Sequence, residues 1–439
     1  MSDTPYDEHF VSWFRAVTPY INAFRGKTFV IAFGGKAVAS EFAKTLAYDV
    51  NLLVSLGIRL VLVHGARPQI EEELREKNLE SKYHRGYRIT DAETLDCVLD
   101  AVGSVYLEIE AMLSQGLPNT PMANSRIRVI GGNFITGQPI GVLDGIDMHY
   151  AGKVRKVDAE GINAQLGLGN IVLLNCEGPS PTGEIFNLQM EEAAEAVAAA
   201  LKADKLVYLT DSRGVTDPSG ELLDAMTADE VAETMKSGEW LSTDIRRYLP
   251  CAERASRAGV GRVHLIGFEQ DGALLRELFT HDGVGTVVTR ESLESIREAK
   301  PDDIGALIAL IEPMEEEGIL VHRPRELLER EIEHFSIMEH DGIIVGCAAL
   351  YRHSDEEAEL ACLAVSAEHR EWGYGEQLMK RIERRAKKAG VKRLFVLTTR
   401  TEHWFVERGF KLGSVDDLPA RKRDMYNYQR RSKVLFKTL

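Results

Sequence analysis

Towards the C-terminal end, Glu359-Leu360-Ala361-Cys362-Leu363-Ala364-Val365 leads to Arg370-Glu371-Trp372-Gly373-Tyr374-Gly375 and then to a helix-forming stretch from Glu376. An apolar strand that enters a glycine-bearing loop and leaves it as a helix lines up backbone N–H groups on one side. Glycine lets the main chain approach a ligand, and the positive end of the helix favours a diphosphate. Arg-x-x-Gly-x-Gly is a weak signal alone. The strand before it and the helix after it make it a strong one.

The same loop opens the basic part of the chain. From 366 to 439 there are 19 Lys and Arg against 9 Asp and Glu, whereas the whole chain has 53 against 68, a net charge of −15. So acidic a protein is unsuited to sequence-independent nucleic-acid binding. A local basic region within it suits a small anionic ligand.

Working outward, the period of the apolar residues predicts a mixed α/β segment over 295–439, with strands at 295–298, 335–339, 343–350, 358–365, 393–397 and 433–437 and helices at 302–314, 375–389 and 403–408. Upstream, the buried-type runs 28–33, 59–63, 127–130, 171–174, 205–209 and 262–266 alternate with helical stretches. That is the pattern of a parallel-rich open sheet sandwiched by helices. The expected domains are 1–285, opened by an amphipathic helix at 8–23, a linker at 286–294, and a smaller mixed α/β domain at 295–439.

The length of 439 residues, 44% hydrophobic and 28% charged, fits two or three soluble cores. No stretch approaches the roughly 18 apolar residues of a membrane span. The acidic first ten residues lack an export signal, so a cytoplasmic location is expected. Five widely spaced cysteines (Cys97, Cys176, Cys251, Cys347, Cys362) give neither a disulfide framework nor a zinc pattern, and no metal is expected.

The C-terminal segment resembles the GCN5-related N-acetyltransferase family, whose acetyl-CoA pyrophosphate loop is Gln/Arg-x-x-Gly-x-Gly/Ala. His403-Trp404-Phe405-Val406-Glu407-Arg408-Gly409-Phe410 looks like that family's closing helix and strand start. The resemblance implies that Arg370, Gly373, Tyr374 and Gly375 hold the pyrophosphate and that the Leu363 and Val365 main chain meets the pantetheine arm. Acetyl transfer needs a carboxylate to take the proton of the attacking ammonium, and Glu359 is the candidate. It also reads as one of the surface carboxylates of the acidic run 355–359. Strict strand alternation sets Glu359 and Cys362 on opposite faces, a relation that a bulge changes.

The first 285 residues resemble the amino-acid kinase family through Phe33-Gly34-Gly35, Leu62-Val63-His64-Gly65-Ala66-Arg67-Pro68, Arg88-Ile89-Thr90-Asp91 and Leu209-Thr210-Asp211-Ser212-Arg213-Gly214-Val215. Two departures argue against phosphoryl transfer. The lysine of that family's Lys-x-Gly-Gly is Ala32 here, and Ala66 and Arg67 replace glycines of its second phosphate loop. The stretch from His264 through Glu277 to Gly283 and Gly285 resembles the arginine-inhibited members. There the resemblance implies that Glu277 pairs with a guanidinium and that Gly283 leaves room for the inhibitor.

The fusion resembles the bacterial amino-acid N-acetyltransferases. It implies acetyl-CoA as cosubstrate, L-glutamate as acceptor in the first step of arginine biosynthesis, L-arginine as inhibitor, and a homohexamer built partly through the N-terminal helix. By the same resemblance Glu359 is the base acting through water and Ser432 the proton donor to the thiolate. Arg323 and Arg430 bind the two carboxylates, with Cys362 beside the α-carboxylate. Which of Arg430 and Arg431 faces inward, and whether Ser432 or a nearby tyrosine gives the proton, stays open at this point.

Overall fold

The apolar runs Thr28–Phe33, Arg59–His64, Ile171–Leu174 and Lys205–Thr210 form the middle of an eight-stranded sheet. Its order is Ala225–Thr227, Thr286–Thr289, Arg262–Gly267, Lys205–Thr210, Thr28–Phe33, Arg59–His64, Ile171–Leu174, Val129–Ile130. All pairings are parallel except that of Arg262–Gly267 with Thr286–Thr289. Alternate side chains enter two different cores. Val30, Ala32, Val61 and Leu206 pack with helices Met190–Leu201 and Ile245–Arg257, while Phe29, Ile31, Leu60 and Val207 pack with helices Ala43–Ser55 and Ala92–Leu113. Burial on both faces is why these strands read as unbroken apolar runs.

The computed structural model describes residues 6–280, 283–292 and 294–439. It divides into two units, Met1–Glu291 and Ser292–Leu439. The stretch 286–294, expected as a linker, holds secondary structure. Thr286–Thr289 pairs on both sides within the first sheet, and Glu294 opens the first strand of the second unit, Glu294–Glu298. Its β-branched run, Thr-Val-Val-Thr, is strand-forming. The N-terminal helix spans Tyr6–Phe24, with Phe10, Trp13 and Phe14 exposed and Phe24 packed against Phe29 and Phe279.

The second unit is a seven-stranded sheet in the order Glu294–Glu298, Phe335–His340, Ile343–Arg352, Glu357–Val365, Arg393–Thr398, Lys433–Thr438, Lys411–Gly413. Glu357–Val365 and Arg393–Thr398 are its parallel neighbours, and the other pairings are antiparallel. Helix Tyr374–Lys388 covers one face and helix Ile304–Glu316 the other.

Candidate active site

The two parallel strands pair only at Glu357, Ala358 and Glu359, opposite Arg393, Leu394 and Phe395. Beyond that the strands diverge, so 361–365 is paired to Ile343–Arg352 on one edge and has no strand partner on the other. Leu363 and Val365, half-buried, lie on this open edge. The chain then runs through a short 3₁₀ turn, Ala367–Trp372, and enters the 15-residue helix Tyr374–Lys388 at Gly373. Gly373 has φ +77°, a conformation that side chains disfavour. The first-turn N–H groups of that helix and the positive end of its dipole lie at this loop, an arrangement that favours an anion. Arg370 is exposed there. Tyr374 offers main chain only. Its ring is buried and its hydroxyl is bonded to Glu294 Oε1 at 3.0 Å and His340 Nδ1 at 2.9 Å. A Cβ on Gly375 would lie 3.3 Å from the Trp404 ring, so glycine there lets the helix start close to the Trp404 side chain.

A bulge falls inside the wedge strand. Ala361 stands opposite Ala349 and Ala364 opposite Cys347, so Cys362 and Leu363 face the single residue Ala348. Cys362 takes φ +49° to make the extra step. The side-chain alternation flips there. Ala358 and Leu360, then Leu363 and Val365, pack towards helix Tyr374–Lys388, while Cys362 and Ala364 pack towards helix Ile304–Glu316. Glu359 therefore shares a face with Cys362, and the expectation from strict alternation is corrected.

Glu359 is only 7% exposed. Lys422 Nζ lies 2.8 Å from its Oε2, and the imidazole of His353 meets the same oxygen at 3.2 Å. Burial alone raises a carboxylate pKa. Here the His353 hydrogen bond and the Lys422 charge outweigh it and hold Glu359 below its usual value. It is a buried carboxylate paired with a cation, not a member of a surface run. Sequence reasoning missed both partners, since Lys422 sits in the basic triplet 421–423 and His353 in a turn.

Arg323 and Arg430 lie side by side. Arg430 donates to the carbonyls of Gly318 and Ile319, Arg323 to that of Val321 at 2.9 Å. Burial, then the Arg323 charge, lowers the pKa of Arg430, whereas Arg323, despite its burial, is raised by Cys362 and Tyr351. Neither pairs with a carboxylate among the described residues, and Arg430 Nε is buried with no partner. Arg431 points out, exposed, with φ +52°. The inward member of the pair is Arg430. Cys362 borders the same region. A hydrogen bond from Cys347 and the Arg323 charge pull its thiol below its ordinary value, against burial. Tyr351, opposite Glu359 on the next strand, also reaches Arg323 and gives its hydroxyl to Glu331 at 3.0 Å. Ser432 is half-buried on the segment between Arg430 and the last strand, and its carbonyl accepts from Tyr426. Its hydroxyl has no partner among the described residues.

In the first unit, Ala32 is completely buried in an apolar core. The Gln69 side chain fills the space beside Gly35, where a Cβ would lie 2.0 Å from its Oε1. His264 and Glu277 form a buried chain with Lys205. Lys205 Nζ is 3.1 Å from His264 Nε2, and His264 Nδ1 is 2.7 Å from Glu277 Oε1. The other carboxylate oxygen accepts from the amides of Val284 (2.7 Å) and Gly285 (3.0 Å). Burial, then the Lys205 charge, lowers His264 to about 4, so the imidazole is neutral, donating from Nδ1 and accepting at Nε2. Gly283, at φ +60°, makes room for this carboxylate, since a Cβ would come 2.7 Å from Oε2. The expectation gave that room to an inhibitor. Gly285 is needed for close backbone packing, 2.3 Å from the Leu265 carbonyl to an added Cβ. A cavity of about 220 Å³ opens beside Val284, lined by Asp211, Arg213, Gly267, Glu269 and Gln270.

Residues 27–267 match the amino acid kinase family, and residues 304–410 match the acetyltransferase (GNAT) family. The amino-acid acetyltransferase of Ralstonia nicotianae is 51% identical over 437 residues, 99% of this chain and 97% of that protein. The one from Pseudomonas aeruginosa is 50% identical over 432 residues, 98% and 99% of the two chains. Among solved structures, N-acetylglutamate synthase from Neisseria gonorrhoeae, complexed with coenzyme A and L-arginine, is 42% identical and superposes with a TM-score of 0.90 over 98% of this chain and 99% of its own. An acetyltransferase-type unit with a glycine turn at its wedge, an upstream kinase-like sheet and relatives matched from end to end agree: the chain belongs to the amino-acid acetyltransferase family, which includes the N-acetylglutamate synthases.

Proposed function

We propose that the chain transfers the acetyl group of acetyl-CoA to the α-amine of L-glutamate, giving N-acetyl-L-glutamate and CoA, and that L-arginine inhibits it. The observation that carries this reading is the pair Arg323 and Arg430. Two adjacent, partly buried cations without a carboxylate among the described residues suit a substrate that brings two carboxylates of its own. The N. gonorrhoeae synthase has been crystallised with coenzyme A and N-acetyl-glutamate, which supports the same assignment.

In this reading the CoA diphosphate rests on the loop carrying Arg370, Gly373, Tyr374 and Gly375, and the pantetheine arm runs along the open edge at Leu363 and Val365. Arg323 and Arg430 hold the glutamate carboxylates, with Cys362 beside the α-carboxylate. Glu359 takes a proton from the α-ammonium, directly or through water. The freed amine attacks the thioester carbonyl, the C–N bond forms, and the C–S bond breaks. Ser432 gives its proton to the departing thiolate and recovers one as the new amide nitrogen sheds its second proton, while Glu359 returns its proton to solvent. His264, Glu277, Gly283 and Gly285 belong to the arginine-responsive region, and the cavity beside Val284 borders it. The assembly is a homohexamer built partly through the exposed aromatic face of Tyr6–Phe24, and the enzyme acts in the cytoplasm.

The test is release of free thiol from acetyl-CoA with L-glutamate, L-glutamine and L-aspartate as acceptors, with and without L-arginine. Glutamate should be preferred by at least about 100-fold over glutamine, which lacks the second charge. Equal rates with the two would overturn the two-carboxylate reading.

A further inference from the structure

Glu359 Oε2 receives two partners, while no described group bonds its Oε1. The carboxylate is thus tied by one oxygen and presents the other. The cation that ties it comes from Ala420–Asp424, a helix of five residues whose neighbours Arg421 and Arg423 are exposed. Lys422 alone of the three turns inward, with its side chain 24% exposed against 9% for that of Glu359. Resting on the reading of Glu359 as proton acceptor, we propose that Lys422 is a positioning residue for acetyl transfer: its ammonium pins Oε2 of Glu359 so that Oε1 faces the acceptor amine or the water between them.

Two groups act on the state of the carboxylate against its burial, the His353 hydrogen bond and the Lys422 charge. Facing it from the turn after Ile343–Arg352 is His353, which packs on the Phe395 ring at 5.3 Å. Tyr351, opposite on that strand, commits its hydroxyl to Glu331. Phe395, opposite on the other side, is apolar. On its own strand Glu357 is turned to Arg393. Lys422 therefore places an ammonium beside the buried carboxylate, next to the His353 hydrogen bond. It does two things at once. It fixes the direction in which the base points, and it makes a proton accepted at Oε1 easy to lose again, so that the carboxylate is ionised for the next turnover.

The experiment is a pH profile of kcat/KM for glutamate in the full-length enzyme. Lys422→Gln keeps a hydrogen-bond donor and removes the charge. It should move the acid limb up by about one pH unit or more and lower kcat about tenfold, with the KM for acetyl-CoA within about twofold. Lys422→Arg should return the acid limb to the wild-type position. In a Glu359→Gln background, Lys422→Gln should add no further loss, because it acts through that carboxylate. An acid limb that stays in place in Lys422→Gln overturns the proposal, as does an equal loss in both backgrounds. Those results leave Glu359 as the base, whereas unchanged turnover in Glu359→Gln alone removes the base itself. Should Lys422→Gln fail to fold, ¹³C titration of the Glu359 carboxyl in Lys422→Arg and wild type decides: a value at or above the ordinary 4.5 in wild type overturns the pinned geometry.

Discussion

The two units each carry a glycine turn at the carboxyl end of a buried strand, and they have diverged in what surrounds it. In the first, Phe33-Gly34-Gly35 leads into a helix of only four residues, Gln69 reaches back to donate to the Gly35 carbonyl at 2.9 Å, and the position before the turn is a buried alanine. In the second, the turn starts a 15-residue helix and Arg370 stands exposed beside it; the space around Gly373 is open, as it is around Gly34, but here no side chain among the described residues reaches back as Gln69 does to Gly35. Glycine only permits an anion to approach. Whether one binds is decided by the space left open and the charge around it.

That contrast can be broken or sharpened by experiment. Glu359→Gln should lower turnover by about 10²- to 10⁴-fold, the range of a lost general base, with acetyl-CoA binding by calorimetry unchanged. Arg430→Ala should raise the KM for glutamate by about 10- to 100-fold, or about 1.5–3 kcal/mol for a charged hydrogen bond, with kcat largely kept. On the other side of the comparison, Ala32→Lys should fail to create ATP consumption. It should also destabilise the first unit by about 3 kcal/mol or more, because its ammonium enters an apolar core; a variant of wild-type Tm that hydrolyses ATP would show the kinase-like turn to be intact. Glu277→Gln should leave the uninhibited rate within about twofold while raising the L-arginine needed for half-inhibition by about tenfold or more, since it weakens a charged hydrogen-bond network. Full inhibition in that variant would move the effector elsewhere.

The smallest effect is one of pH. His264 has a folded-state pKa of about 4 against 6.5 for a free imidazole. Between those values the unfolded chain takes up the proton and the folded chain does not, so the stability it contributes falls as pH drops from about 6.5 towards 4. NMR titration of the His264 ring should show a midpoint near 4; a midpoint near 6.5 would contradict the neutral, buried chain Lys205–His264–Glu277.

Much of the architecture was legible because it rests on local period. Thr28–Phe33, Arg59–His64 and Lys205–Thr210 fall within a residue of where the apolar runs place them, as does the helix after the Gly373 turn. The bulge entered only through the family resemblance and not from the residues, since it is made by Cys362 in a left-handed conformation, where glycine or asparagine would have signalled it. The strand Thr286–Thr289 was hidden by its shortness and by flanking residues that read as a connection. Lys422 and His353 reach Glu359 from 63 and 6 residues away, a meeting made by the sheet's order and not by spacing. Glu277 illustrates a different limit: its residue type was noticed, but that both its oxygens are satisfied internally is a property of the packed state.

The three residue pairs that join Glu357–Val365 to Arg393–Thr398 are all that stitches one half of the second sheet to the other through backbone pairing. Away from that seam the two halves are held together by side chains alone, Ala358 and Leu360 packing in one core with Leu394, Val396 and Leu435. Any molecule lying along the unstitched edge at 361–365 would serve as the missing stitches, and melting temperature should then rise with its occupancy.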